Sequence, residues 1–320
     1  MHSATVEIIH LPKIKNIIKN IDLIPIIEEG FAAYSQGRSV VPPVGELLFE
    51  DPPGDTHIKY GYIKGQEFFT VKIASGFYNN PELGIKASQG VILLFSQKTG
   101  ELKAILLDEG YLTDIRTVIA SMITLKYLAP MDVEQIGIIG TGIIAKLHLE
   151  YLDKITDCKK IMAWGRDINN AESFKTHFSG SPYNITIAES TSQLAANCNV
   201  IITATPSNIP LLELSQIRKG THITAIGSDT SNKCELDPDV IGNADIVVSD
   251  SIPQSQSRGE VFRARKNGSL NEAKLVELGE VIKASGKTRT RDDQLTVADL
   301  TGVAVQDIMI ATAVYDNLKN

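Results

Sequence analysis

Glu134-Gln-Ile-Gly-Ile-Ile-Gly140-Thr141-Gly142-Ile143-Ile144-Ala145-Lys-Leu-His-Leu149 reads as a strand, a glycine turn and a helix in immediate succession. The turn fits G-x-G-x-x-A. Gly140 permits a tight turn, Gly142 lets backbone amides approach a pyrophosphate at the positive end of a helix, and Ala145 allows that helix to lie close on its strand. The amides from Thr141 to Ile144 are the candidate phosphate donors. An isolated match to this pattern is weak, and a turn with only a structural purpose is its alternative. The strand before it and the helix after it supply the context that the motif requires.

The rhythm continues downstream. Short apolar runs at Lys160 to Trp164, Val200 to Thr203, His222 to Ile226 and Ile246 to Ser249 are separated by helical stretches. Strand–helix alternation at this spacing predicts a doubly wound parallel sheet of Rossmann type. Its second strand ends in Trp164-Gly165-Arg166-Asp167. An acidic residue there suits the ribose 2′-hydroxyl of NAD, whereas an arginine suits a 2′-phosphate. Gly165-Arg166 therefore leans the cofactor, NAD(P), toward NADPH. Asp167 keeps NAD open, and a solvated surface arginine is the plain alternative.

Upstream the character is different. Thr5 to Ile9 reads as a strand, and Ile14, Ile17, Ile18, Ile21 and Ile24 recur at helical spacing. Prolines and glycines then punctuate strands at Thr56 to Ile63, Glu67 to Ile73, Gly90 to Phe95 and Leu102 to Leu107, with Lys98-Thr99-Gly100 as a hairpin turn between the last two. A helix from about Asp114 to Tyr127 follows. Lys287 to Gln294 is polar and loop-like, and Leu300 to Leu318 reads as an apolar helix that returns to the first domain. The expected fold class is α/β: a Rossmann domain over 114–299 and a discontinuous α+β domain over 1–113 and 300–320.

The composition removes other classes. The 320 residues are 43% hydrophobic and 22% charged with net charge −7, which suits a two-domain globular chain and not a nucleic-acid surface. Three scattered cysteines, Cys158, Cys198 and Cys234, form neither a disulfide framework nor a CxxC pair. No apolar run is long enough to span a bilayer, and the N-terminal residues lack the pattern of a signal peptide. The expectation is a soluble, cytoplasmic protein with no membrane partner. The six histidines show no metal-ligand spacing, so no metal is expected.

Candidate chemistry lies in four places. Lys72 interrupts the apolar run Val71 to Ala74, so it either faces solvent on a strand or is buried with a partner or a use. Arg116 follows Thr113 and Asp114, the candidate caps, and a cation in a first helical turn opposes the helix dipole. An anionic partner answers that, either a substrate carboxylate or a structural ion pair. Asp229, in Gly227-Ser228-Asp229-Thr230-Ser231-Asn232-Lys233, lies at the carboxyl end of the predicted sheet, where ligands bind. It is an acid/base candidate, a ribose ligand or a turn residue. His57 and Lys59 alternate on one strand face and line either a site or solvent.

Together, Val71-Lys-Ile-Ala-Ser75, Asp108 to Ala120, Gly140 to Ala145, Gly227 to Asp237 and Leu295 to Asp307 resemble the ornithine cyclodeaminase/mu-crystallin family, in order and over nearly the whole chain. The resemblance implies that the discontinuous α+β domain is the substrate and dimerisation domain of a homodimer, whose substrate is a small amino or imino acid, with hydride moving between its Cα and a nicotinamide. It implies Lys72 beside the substrate, Arg116 on the α-carboxylate, Asp229 as acid/base, and Thr203, Ser228 and Lys233 flanking the cofactor. The family often carries a second carboxylate-binding arginine just after a proline segment. Here that segment is Pro42-Pro43-Val44-Gly45-Glu46, without one; Arg38 lies before it, and His57 or Lys59 would have to substitute. The family's frequent glutamine in the glycine turn is Ile144. Three activities follow: an NAD(P)-dependent imine reductase or amino-acid dehydrogenase (ketimine, cyclic-imine or alanine), an ornithine cyclodeaminase with recycled NAD, and a non-catalytic NADPH-binding protein like mu-crystallin.

Overall fold

The computed structural model describes residues 6–77, 79–284 and 289–318. The chain divides into two units, Met1–Arg116 with Val303–Asn320, and Thr117–Gly302.

In the first unit β1 (Glu7–His10) leads into α1 (Leu11–Ile18) and α2 (Leu23–Ser35). Thr5, where the first strand is expected to start, lies outside the described residues. Asp22 caps α2 by accepting the Ile24 amide at 3.3 Å. Ile14, Ile17, Ile18, Ile24 and Ile27 are buried, so the helical spacing of isoleucines marks the inner face of this layer. There follow β2 (Ser39–Val40), β3 (Gly45–Phe49), β4 (Gly54–Ile63), β5 (Phe68–Phe77), β6 (Ser88–Ser96) and β7 (Leu102–Leu107). β4 to β7 pair antiparallel in chain order, β2 and β3 both add to β4, and β1 lies parallel beside β7. His57, Lys59, Gly61 and Ile63 alternate along the covered face of β4, with Lys72 directly across from Lys59 on β5. α3 (Tyr111–Leu128) follows β7.

The second unit contains β8 (Ile136–Ile139), α4 (Ile143–Tyr151), β9 (Lys160–Trp164), α5 (Ile168–His177), β10 (Asn184–Ile187), α6 (Thr191–Asn197), β11 (Val200–Thr203), β12 (His222–Ala225), α7 (Pro238–Asn243), β13 (Ile246–Ser249), α8 (Gly259–Asn267), β14 (Leu275–Glu277), α9 (Leu278–Lys283) and β15 (Thr296–Asp299). The strands form one parallel sheet in the order β10-β9-β8-β11-β12-β15-β13-β14. β8, β11, β12 and β15 are buried at every residue, as a parallel sheet covered on both faces requires.

The fold class is therefore α/β, a parallel sheet in one unit and a mixed sheet in the other. Two expectations need correction. The last helix does not begin at Leu300: α10 (Ala304–Asp316) starts four residues later, because Thr296–Asp299 is a strand inserted between β12 and β13. Gly302, at φ 81°, turns the chain between the two. α3 begins at Tyr111 rather than Asp114. Of the expected polar loop, 287 and 288 lie outside the described residues and 289–294 form neither helix nor strand. α10 belongs to the first unit, where it packs on α2 and across β4 and β5. Among the described residues no helix is long and apolar enough to cross a membrane.

Carboxylates gather at the carboxyl end of the parallel sheet. Asp299 accepts the Val261 amide at 2.9 Å, and Glu260 accepts the Glu235 amide at 2.6 Å. Burial, and then the charge of Asp299, pushes Glu260 up to about 8. Burial pushes Asp299 up too, reinforced by Asp250 and Glu235. A carboxyl whose value is raised on folding stabilises the fold below its unfolded value, and that contribution is lost as the pH rises through the folded value. Glu260 therefore contributes a component of stability that declines between pH 4.5 and about 8, and Glu260→Gln is expected to remove it, so that the melting-temperature difference between wild type and variant narrows in favour of the variant as the pH rises over that range. Identical slopes in a calorimetric series would show that Glu260 does not titrate there.

Candidate functional site

Lys72 stands in the middle of β5 on the covered face and is 2% exposed. A buried ammonium needs a counter-charge, and α10 provides it: Lys72 Nζ lies 2.9 Å from Asp307 Oδ1. Arg116 reaches the same residue, with Nε 3.4 Å from Asp307 Oδ1, and its Nη1 donates to Gln306 Oε1 at 3.2 Å. Two cations thus share one carboxylate. Burial, then the charge of Arg116, lowers Lys72 to about 8, while Asp307 pulls in the other direction.

The start of α3 explains the placing of Arg116. Asp108, and not Thr113 or Asp114, caps this helix: its Oδ2 accepts the Leu112 amide at 2.8 Å and its carbonyl accepts the Tyr111 amide at 3.0 Å. Arg116 consequently sits in the second turn, where the dipole is already weak, and the predicted dipole conflict is largely absent. Its anionic partner is real, and it is Asp307. Asp108 and Asp114 stand beside the cluster. Burial pushes Asp114 up to about 6 and raises Asp108 as well.

His57 and Lys59 lie on the same face as Lys72, and both are buried. His57 Nε2 is 2.9 Å from Glu46 Oε1, so Glu46, next to the proline segment, orients the imidazole. Arg38 is exposed and its Nε donates to Gln36 at 2.6 Å.

In the second unit the glycine turn has the geometry that the motif requires. Gly140 adopts φ 112°, and its amide donates to the Trp164 carbonyl at 2.8 Å. A Cβ at Gly140 would lie 2.6 Å from the Ala204 carbonyl oxygen, so only glycine fits. Gly142 starts α4 with no side-chain cap, and a Cβ there would meet nothing within 4 Å. Gly142 and Ile143 are exposed at the start of α4, where the first amides of a helix lack intrahelical partners and its end is positive, a fit for a diphosphate. Gly165 packs against Thr141: a Cβ there would lie 3.0 Å from the Thr141 methyl. Arg166 is exposed, and Asp167 caps α5 by accepting the Asn169 amide at 2.8 Å.

The remaining expected residues hold the loops at the carboxyl end of this sheet. Thr203 is fully buried and its hydroxyl donates to Glu235 at 2.7 Å. Ser228 is buried and donates to the Lys233 carbonyl at 2.8 Å. Both hydroxyls donate within the chain and hold the segments at the carboxyl ends of β11 and β12. Asp229 Oδ1 and Lys233 Nζ form an ion pair of 2.7 Å, and Arg258 Nη1 donates to the Asp229 carbonyl at 3.3 Å. Asp307, Gln306 and Glu235 were given no role from the sequence. Their signal was polarity in the wrong place: Gln306-Asp307 inside an apolar helix, and Glu235 between Cys234 and Leu236. Among the described residues no group of histidine, cysteine and carboxylate side chains could hold a metal.

Comparison with known proteins follows this geometry. The sequence model of the ornithine cyclodeaminase/mu-crystallin family matches residues 7–320. An uncharacterised cyclodeaminase of Sinorhizobium fredii is 35% identical over 98% of this chain and 96% of its own length. An archaeal alanine dehydrogenase, solved as a dimer with bound NAD, superposes with a TM-score of 0.88 at 28% identity, covering 98% of this chain and 95% of that one. The Δ1-pyrroline-2-carboxylate reductase of Thermococcus litoralis, solved with NADH and L-proline, gives 0.90 at 25% identity over 98% and 97%.

Proposed function

The chain belongs to the ornithine cyclodeaminase/mu-crystallin family, and from that premise we propose that it is an NAD(P)-dependent oxidoreductase acting at the Cα–N bond of a small amino or imino acid. The observation that carries the reading is the Lys72–Asp307–Arg116 cluster. Lys72 and Arg116 bring two buried cations together, and such a pair is suited to bind a substrate α-carboxylate. The unit of Met1–Arg116 and Val303–Asn320 is then the substrate-binding unit, and Thr117–Gly302 is the nucleotide-binding unit.

The roles divide by chemistry. Arg116 grips the α-carboxylate, and Lys72 shares it while staying close to its titration point, so that it can also pass a proton. His57 and Lys59 border the same face and take the place of the missing second arginine. Asp229 is the acid/base group for the substrate nitrogen, and Lys233 Nζ, 2.7 Å away, holds its carboxylate in place. The amides of Thr141 to Ile144 hold the cofactor diphosphate, and Arg166 holds a 2′-phosphate. Asp167 is engaged in capping α5, which supports NADPH over NADH. The bound nicotinamide supplies or accepts the hydride at Cα.

The relative from Sinorhizobium is named a cyclodeaminase, so a second reading is the release of ammonia from ornithine with the nucleotide recycled. A panel of pyruvate with ammonia, pyrroline-2-carboxylate, piperideine-2-carboxylate and ornithine, run with NADH and NADPH, separates the two. Steady loss of nicotinamide absorbance with an imino acid is expected. Ammonia from ornithine without net absorbance change would replace it by the second reading, and no turnover of any substrate would overturn both.

The outer face of the mixed sheet exposes Leu47, Phe49, Tyr60 and Tyr62 on the adjacent strands β3 and β4. Such a patch marks a protein contact, and the archaeal relative is a dimer. We assign this face to a second copy of the chain. Sedimentation equilibrium is expected to give twice the chain mass, reduced to the monomer by Leu47→Asp. A wild-type monomer contradicts the assignment.

A further inference from the structure

Glu235 carries no catalytic group's signature, yet its carboxylate accepts four hydrogen bonds at the carboxyl end of the parallel sheet. It is completely buried. Its Oε1 accepts the Thr205 amide at 2.7 Å and the Thr205 hydroxyl at 2.8 Å. Its Oε2 accepts the Thr203 hydroxyl at 2.7 Å and the Gly227 amide at 2.8 Å. One side chain therefore ties the segment leaving β11 to the segment leaving β12. Burial pushes the carboxyl up, and these four donors pull it back. Its own amide is held in turn by Glu260 at 2.6 Å.

What Glu235 holds lies against the glycine turn. β8 and β11 are neighbours in the sheet, while β9 and β10 lie on one side of β8 and β12 on the far side of β11. The strand order therefore reverses between β8 and β11, and in open α/β sheets the ligand crevice forms at such a point, outside the carboxyl ends. Its walls are the turn at Gly140 and the segment Ala204–Thr205. They touch: a Cβ on Gly140 would lie 2.6 Å from the Ala204 oxygen and 3.2 Å from the Thr205 methyl. The Ala204 amide also donates to the Ile139 carbonyl at 2.8 Å. On the other side a Cβ on Gly227 would lie 2.6 Å from the Thr205 nitrogen.

We propose that Glu235 is a positioning residue for the nicotinamide nucleotide, its carboxylate fixing the Thr203–Thr205 wall of the crevice against the glycine turn. This rests on the reading that the chain binds such a nucleotide. Each oxygen of Glu235 faces a backbone amide that can only donate. Glutamine at this position would turn an NH2 group toward one of them, leaving a donor facing a donor and freeing one wall. The nucleotide then has to order a loose wall on binding, and its affinity falls.

The test titrates the purified full-length protein with NADPH and NADH by nicotinamide fluorescence, beside circular dichroism and thermal melts. Glu235→Gln is expected to weaken binding by about tenfold or more, the loss of one hydrogen bond to a charged group. Because that variant faces buried donors and can misfold, Thr203→Val and Thr203→Ser form a second pair. Valine keeps the shape and removes the donor, so affinity falls severalfold. Serine restores the hydroxyl and binds within twofold of wild type, which a purely structural effect on melting does not reproduce. Wild-type binding with both Glu235→Gln and Thr203→Val folded and within twofold of wild type overturns the positioning role alone. If only Thr203→Val folds, its affinity decides in the same way. A folded wild type that binds neither nucleotide overturns the functional reading, and this inference with it.

Discussion

The contact on which the first unit depends is the one between Lys72, Arg116 and Asp307. Placing an ammonium and a guanidinium on a covered sheet face is unfavourable by several kcal/mol per ion, on the order given by buried ions in general, unless an anion meets them. The chain meets that demand with a helix that arrives from the other end of the sequence, 235 residues beyond Lys72. α10 is apolar on nearly every side because it fills the space over β4 and β5, and Gln306-Asp307 is the polar break that its position makes necessary. The discontinuity of the unit and the charge of its site therefore have one cause.

The second unit solves a different problem. Its strand ends must hold loops still without side chains entering the space above the glycine turn. Buried carboxylates do this work from below. Glu235 gathers two threonines and a glycine amide, Glu260 supports Glu235, and Asp299 caps the start of α8. Gly140 and Gly142 complete the arrangement by having no side chain where the chain passes closely or where amides must stay uncovered. Thr203 and Ser228 belong to this supporting layer, their hydroxyls turned inward.

Much of this was legible in the residues, for reasons that differ by element. Lys160–Trp164, Val200–Thr203 and Ile246–Ser249 were readable to the residue because buried parallel strands are short apolar runs with clear edges. Thr296–Asp299 was not, because it pairs with β12 and β13 far from it in sequence, and four residues ahead of a long apolar helix carry no period of their own. Asn184–Ile187 and Leu275–Glu277 are edge strands at the two ends of the sheet, too short and too mixed to stand out. In the site, Lys72 and Arg116 were conspicuous as charges in apolar or helical settings. Asp307 was hidden because its meaning is a distance of 2.9 Å across 235 residues, which no local pattern encodes. The cap of α3 was misplaced because Thr113 and Asp114 look like caps, and only the bond from Leu112 to Asp108 shows where the helix starts.

The central claim is that Lys72 is a buried amine poised by its neighbours and open to a carboxylate. Its own titration tests that most directly, followed by NMR of the labelled lysine ε-carbon with Lys72→Met as the assignment control. The account predicts a midpoint near 8, well below the ordinary 10.5, with the charged form predominating below it. It also predicts a rise when a small α-imino or α-amino carboxylate is added with nucleotide. A midpoint at the ordinary lysine value, unmoved by any such ligand, would contradict it.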